Sequence, residues 1–369
     1  MKKLFVLLNN ILILIINNII NIFIMSNENN ILFNLCSHNG TVVSLFQSPF
    51  NKNYLFSLSI DKYLKLWNLN DGTLIKDVYD DCAPTKLIYL PKFSILIIPK
   101  WDFSFNVLNL KNFNLDNIEN VNIKDHKSWV LNSIELNMSK KYEKTHFLTC
   151  NRDYTIKFFN VKENFKCDLT IEHKNIVNDI KEIEENKIIS VSSDLTIKIW
   201  NFKDFKIECL LEIFNGIYSI FQIELLNNNL FAVRDESTEL KIYNYNGELI
   251  RNFNTHKTNI ICFIVLKDYR IATGSYDHSI KIWNVEKEKE LATLKNHDFT
   301  VFSLLETKKG NLISGGGDNL IKIWDLKNYI CLKTFSGHSN YVVTLLELNN
   351  NLFASGSYDS KIIIWKINN

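Results

Sequence analysis

Arginine is almost missing from this chain: Arg152, Arg234, Arg251 and Arg270 are the only four among 42 basic residues. The basic load is therefore lysine, a point charge without the bidentate fork used in much anion recognition. The 42 Lys and Arg face 40 Asp and Glu, for a net charge of +2, so no average excess tracks phosphates. Cys-x-x-Cys is absent too. Cys36, Cys82, Cys150, Cys167, Cys209, Cys262 and Cys331 are odd in number and scattered. Neither a zinc site nor a disulfide framework is expected, and the cysteines read as small hydrophobes in a reducing compartment. Nor does any helical stripe occur beyond the first two dozen residues.

What is present begins with an apolar, Asn-rich leader, read over residues 1–28. Lys2 and Lys3 precede an apolar run, as in a signal anchor spanning 4–24. Asn9, Asn10, Asn17, Asn18 and Asn21 interrupt it, amides are costly in hydrocarbon, and no small-x-small cleavage site follows. A mis-called start, with translation from Met25, is the competing reading. It predicts a cytoplasmic or nuclear protein; a real leader predicts a membrane-anchored one.

From residue 29 to 369 the chain repeats itself. SVSSDLTIKIWN (190–201), TGSYDHSIKIWN (273–284), SGGGDNLIKIWD (314–325) and SGSYDSKIIIWK (355–366) superpose almost without adjustment. SLSIDKYLKLWN (57–68) and TCNRDYTIKFFN (149–160) follow the same rule, and weaker copies place Asp102 before Leu108 and Ser237 before Tyr243. The anchor falls at Trp67, Leu108, Phe159, Trp200, Tyr243, Trp283, Trp324 and Trp365, which makes eight units. Alternating β-branched runs split by turn residues fit four short strands per period of about 41 residues. Seven units remain the alternative if the stretch at about 78–110 is an irregular connection.

These motifs resemble the WD-repeat family: Gly337-His338 opens the last unit and Trp324-Asp325 closes the seventh, with Asn68, Asn201 and Asn284 replacing the final Asp elsewhere. The resemblance covers essentially 31–369 and implies an all-β, eight-bladed propeller. It also implies buried hydrogen-bonded tetrads: His38, Ser57, Asp61, Trp67; His173, Ser190, Asp194, Trp200; His256, Thr273, Asp277, Trp283; His297, Ser314, Asp318, Trp324; and His338, Ser355, Asp359, Trp365. The third unit has His126, Thr149 and Asp153 but Phe159, so its indole donor is lost. Such a Ser-His-Asp set also matches a hydrolase triad. A catalytic constellation is needed once, whereas this one recurs five times in mid-strand, so no catalysis, metal or cofactor is expected.

The chain stops four residues after Trp365, leaving the last unit without an outer strand. Residues 31–38 (ILFNLCSH) resemble 330–338 (ICLKTFSGH), so residues 31–36 are expected to complete that unit and shut the ring. The third unit carries an insertion at 137–146, read as a tolerated loop on the opposite face.

In the family, the face bearing the outer loops and turns binds partners. Residue by residue this implies Trp129, Leu131, Arg152, Ile261, Tyr276, Phe302, Tyr341 and Tyr358, with Trp101, Ile60 and Tyr218 less securely aligned. Large apolar and aromatic groups there exceed what a solvated surface needs. The expected role is a non-catalytic scaffold or adaptor for other proteins in a multiprotein complex. Nucleic acid and small-molecule substrates are not indicated. Two alternatives are the substrate-recognition subunit of a ubiquitin ligase and a WD-repeat component of an RNA-processing complex. The first lacks a preceding F-box-like region and the Trp-Asp-x-Arg ending; the second lacks basic charge.

Overall fold

The computed structural model describes residues 30–79, 86–111, 120–138, 142, 145–203, 206–349 and 351–367. The leader at 1–28 and most of the tip of the insertion in the third unit lie outside them. Among the described residues there are eight antiparallel sheets of four strands, so the eight-unit reading holds over the seven-unit one. Blade 1 runs Val42–Gln47, Tyr54–Ser59, Tyr63–Asn68 and Leu74–Tyr79, and blades 2 to 7 repeat the plan in chain order up to Phe335. The first strand of each blade is innermost, and those of blades 8 and 1 pack together across the closure.

Blade 8 is composite. Val342–Glu347, Leu352–Ser357 and Ile362–Lys366 are joined by Ile31–Leu35 as the outer strand. Ile31 opposes Trp365 and Leu35 opposes Ile362, while the Lys366 amide donates to the Asn30 carbonyl at 2.8 Å. Leu35 is 2% exposed among Val42, Leu45, Leu55, Trp67 and Ile364, so this strand belongs to the core between blades 8 and 1.

The burial pattern follows strand position. Second and third strands such as Lys187–Ser192 and Thr196–Asn201 are buried almost throughout, because sheets pack on both faces. Outer strands alternate, as in Ile330–Phe335. A register shift opens the inner strand of every blade except the second, for example between Val42 and Ser44. The added twist fits the inner strands to a crowded channel. Blade 2, whose inner strand is only Ile88–Leu90, is complete but shorter.

The turn between second and third strands is a repeated strained device. The residue after the turn Asp sits in the left-handed region, φ between 67° and 74°, at Lys62, Phe103, Tyr154, Leu195, His278, Asn319 and Ser360. None of these is glycine, so each carries a cost of about 1 kcal/mol or more. The Asp side chain offsets it by accepting the amide two residues on, as from Tyr63 to Asp61 at 3.0 Å and from Lys361 to Asp359 at 2.9 Å. That is why the turn Asp recurs in the sequence. Among the described residues no helix is long and apolar enough to cross a membrane, and no cysteine is paired.

Candidate functional site

Each full repeat carries one hydrogen-bond chain. In blade 1, His38 Nδ1 lies 2.8 Å from Asp61, His38 Nε2 lies 2.8 Å from Ser57 Oγ, and Trp67 Nε1 donates to the same oxygen at 2.8 Å. The same links join His173, Asp194, Ser190 and Trp200, then His256, Asp277, Thr273 and Trp283. They recur at His297, Asp318, Ser314 and Trp324, and at His338, Asp359, Ser355 and Trp365. One proton arrangement satisfies every atom: indole N–H to hydroxyl, hydroxyl to imidazole Nε2, imidazole Nδ1–H to carboxylate. The polarity is that of a hydrolase triad, but the five hydroxyls are fully buried and already accept an indole. They tie the outer loop to mid-strand.

Three blades depart from this pattern, and blade 2 has neither the His nor the mid-strand Ser. In blade 3, Thr149 and Asp153 hold His126 at 2.7 and 3.2 Å, and Phe159 stacks on Phe147 where the indole would be. In blade 5 the network is rebuilt around the Tyr243 anchor from Asn215, Asp235 and Lys241, which sequence spacing missed. Asn215 donates to Asp235 at 2.7 Å, Lys241 donates to Asp235 at 3.0 Å, and Tyr243 OH donates to Asn215 at 2.9 Å. Asp235 has moved two residues back, from the turn to the end of the second strand, so an offset counted from the anchor finds Ser237 instead. The available signal was Tyr243 in place of Trp, since a phenol needs a different acceptor.

Burial holds the His38, His126 and His256 imidazoles below their ordinary pKa, overcoming the pull of their Asp partners. Burial pushes the carboxyls of Asp61, Asp277 and Asp359 up, but donors outweigh it: His38 and the Asn39 amide on the first, Ser279 and the Lys257 amide on the second, His338 on the third. All three settle at about 2. Both kinds of group are depressed on folding, so both stabilise at high pH and lose that stabilisation as pH falls. The melting temperature is expected to drop first below about 6.5, as unfolded imidazoles take up protons. A second drop should run from about 4 towards 2, as the carboxylates protonate. A melting temperature unchanged between pH 7 and 5 would contradict the neutral buried imidazoles.

The turns and the outer loops lie side by side at one end of the ring. The Arg152 amide donates to the Trp129 carbonyl, Tyr276 to Asn259, Gly317 to Thr300 and Tyr358 to Tyr341. Over blades 6 to 8 this end is aromatic: His278 stacks on Phe299, Phe299 and Phe302 stack on Tyr341, and Tyr341 meets Tyr358 edge-on. Phe299 and His278 were missed in the sequence because they sit one and two residues off the inherited offsets. Gly317 is their seat: a Cβ there would run into the Phe299 ring. Tyr276 and Tyr358 are half exposed at their turns, Tyr218 is exposed before blade 5, and Ile60 is exposed beside Asp61. Leu131 and Ile261 are only partly buried, on the inner strands of blades 3 and 6.

Over blades 1 to 3 the same end holds a different cluster. Trp101 and Trp129 meet edge-on at 4.6 Å. Arg152 lies 5.2 Å over the Trp129 ring and Lys62 lies 5.9 Å over the Trp101 ring. These rings are partly covered by one another and by the cations.

Three units, residues 247–284, 288–325 and 329–366, match the family described as WD domain, G-beta repeat. These three units are WD repeats, set in an eight-bladed β-propeller. Mouse WD repeat-containing protein 41 is 22% identical over 165 residues, 44% of this chain and 35% of that protein. The Ribosome biogenesis protein WDR12 homologs of Culex quinquefasciatus and Aedes aegypti are each 23% identical over 124 residues, 32% of this chain and 28% of those proteins. The matched stretches thus span about a third of these relatives. The crystal structure of the computationally designed Ika8 protein covers 92% of this WD-repeat chain at a TM-score of 0.76 and 21% identity, a likeness of fold.

Proposed function

We propose that this propeller is a non-catalytic scaffold that gathers protein partners in the cytoplasm or nucleus, on the end formed by its turns and outer loops. The observation that carries the reading is the aromatic patch of His278, Phe299, Phe302, Tyr341 and Tyr358, continuous over three blades and partly open to solvent. Rigid rings with polar tips are preferred interface anchors, because they bury area at little entropic cost. Free cysteines fit a reducing compartment. Replacing Tyr276, Tyr341 and Tyr358 together by Ala is expected to abolish partner capture in affinity purification while melting stays within a few degrees. An unchanged partner set would refute the contact patch.

A second reading places the scaffold in a ribosome-assembly complex, supported by the names of the two mosquito relatives. The same purification separates the two, because ribosome-assembly factors would then lead the set that the tyrosine variant loses.

A further inference from the structure

We propose that the row Lys62, Trp101, Trp129 and Arg152, crossing blades 1 to 3, seats an acidic peptide segment of a partner protein. This rests on the reading of the turn-and-loop end as the contact face, but it uses a different sector from the tyrosines.

Arg152 is the starting point. Arg251 pairs with Glu288 and Arg270 with Asp268, and Arg234 donates to the Ile260 carbonyl. Among the described residues, the exposed Arg152 guanidinium has only the Trp129 ring beneath it. The neighbouring carboxylate cannot serve it, because Asp153 already accepts from His126, from Thr155 and from the Lys127 amide. A guanidinium held flat on an indole with its donors unspent is a preorganised carboxylate receptor.

Further cations lie around it. Lys127 and Lys174 follow the tetrad histidines of blades 3 and 4 and are exposed, and Lys62 closes the far end of the row. The acids of this sector are engaged locally, Asp102 with Lys124 at 3.8 Å and Asp125 with Lys157 at 3.4 Å. Blade 2 also lacks the His-Asp pair, so among the described residues no buried tetrad carboxylate lies under Trp101. A chain that is nearly neutral overall thus gathers cations beside two tryptophans.

The occupant follows from the geometry. A nucleic acid would need open ring faces for stacking. Here the rings meet edge-on and the cations lie over them. One planar fork with spaced single charges suits carboxylates strung along an extended chain, at about 3.3 Å per residue, better than a single dianion. The tryptophan edges add an apolar ledge for a neighbouring side chain of the same segment.

The test is fluorescence anisotropy on the full chain with a labelled peptide of Asp and Glu around one Leu-Phe pair. Its Asn/Gln counterpart, a phosphoserine version and oligouridine are run beside it. Saturable binding of the acidic peptide, weakened by salt, is expected, with a loss of about tenfold, ~1.4 kcal/mol, in Arg152→Ala. Arg152→Lys should recover part of it, and melting should be unchanged because the side chain is exposed. No saturable binding, an Arg152→Ala variant that binds like the parent, or equal or tighter binding of any of the three comparison probes would overturn the proposal. If Arg152→Ala is inert while the triple tyrosine variant still loses its partners, this assignment falls and the broader reading stands.

Discussion

Removing residues 26–37 is expected to convert a cooperatively melting protein into one that aggregates on expression. The strand Ile31–Leu35 supplies the outer edge of blade 8, so its loss bares the backbone of Ile362–Lys366, a strongly apolar strand. Such an edge templates pairing with other chains. The core loses material as well: Leu35 is buried between blades 8 and 1, and Ile31 packs beside Trp365 and Ile363. A milder variant separates the two effects. Leu35→Ala keeps the strand but removes its buried side chain, at a cost of about 2–4 kcal/mol. Size-exclusion chromatography and urea unfolding check both. A deletion variant that keeps the parent's elution volume and midpoint would show that the ring does not depend on this strand.

The second large effect lies in the tetrads and has a distinctive arithmetic. Ser314→Ala removes the one oxygen shared by Trp324 and His297, leaving a buried indole donor and a buried ring nitrogen without partners. The expected loss is about 2–4 kcal/mol, because an orphaned buried group forfeits its hydration as well as its bond. Trp324→Phe alone should cost less, about 1–2 kcal/mol, since the hydroxyl keeps its histidine. The double variant should then be more stable than the sum of the singles predicts, because one orphan has been removed with its partner. Blade 3 already lives in a related state, with Phe159 at the anchor and Thr149 bonded to His126. Urea midpoints of the three variants decide it. Strict additivity would mean that the hydroxyl does not bridge the two rings.

These two predictions draw on different sources of information. The fold was legible in the sequence because a repeat announces itself by period: one Trp or its substitute about every 41 residues, an Asp six before it, alternation between. Composite blade 8 could be read as well, since ILFNLCSH resembles ICLKTFSGH and the last unit visibly lacks a strand. Blade 5 was not legible in the same way. Asp235 left the counted position, and only packing shows that Asn215, Lys241 and Tyr243 converge there. The candidate face was half legible. Inherited offsets pointed to Tyr341 and Tyr358 but passed over Phe299 and His278, which stack with them only because Gly317 opens the space.

What the sequence determined alone is everything with a period, because strand alternation, turn Asp and anchor Trp are local demands repeated along the chain. What tertiary structure decided is everything that joins different blades: Trp101 against Trp129, Arg152 flat upon it, Tyr341 between Phe302 and Tyr358. Those contacts arise from residues far apart in the chain that meet only when neighbouring sheets are wound round a common axis. No periodicity within one unit records which side chains will face each other across that gap.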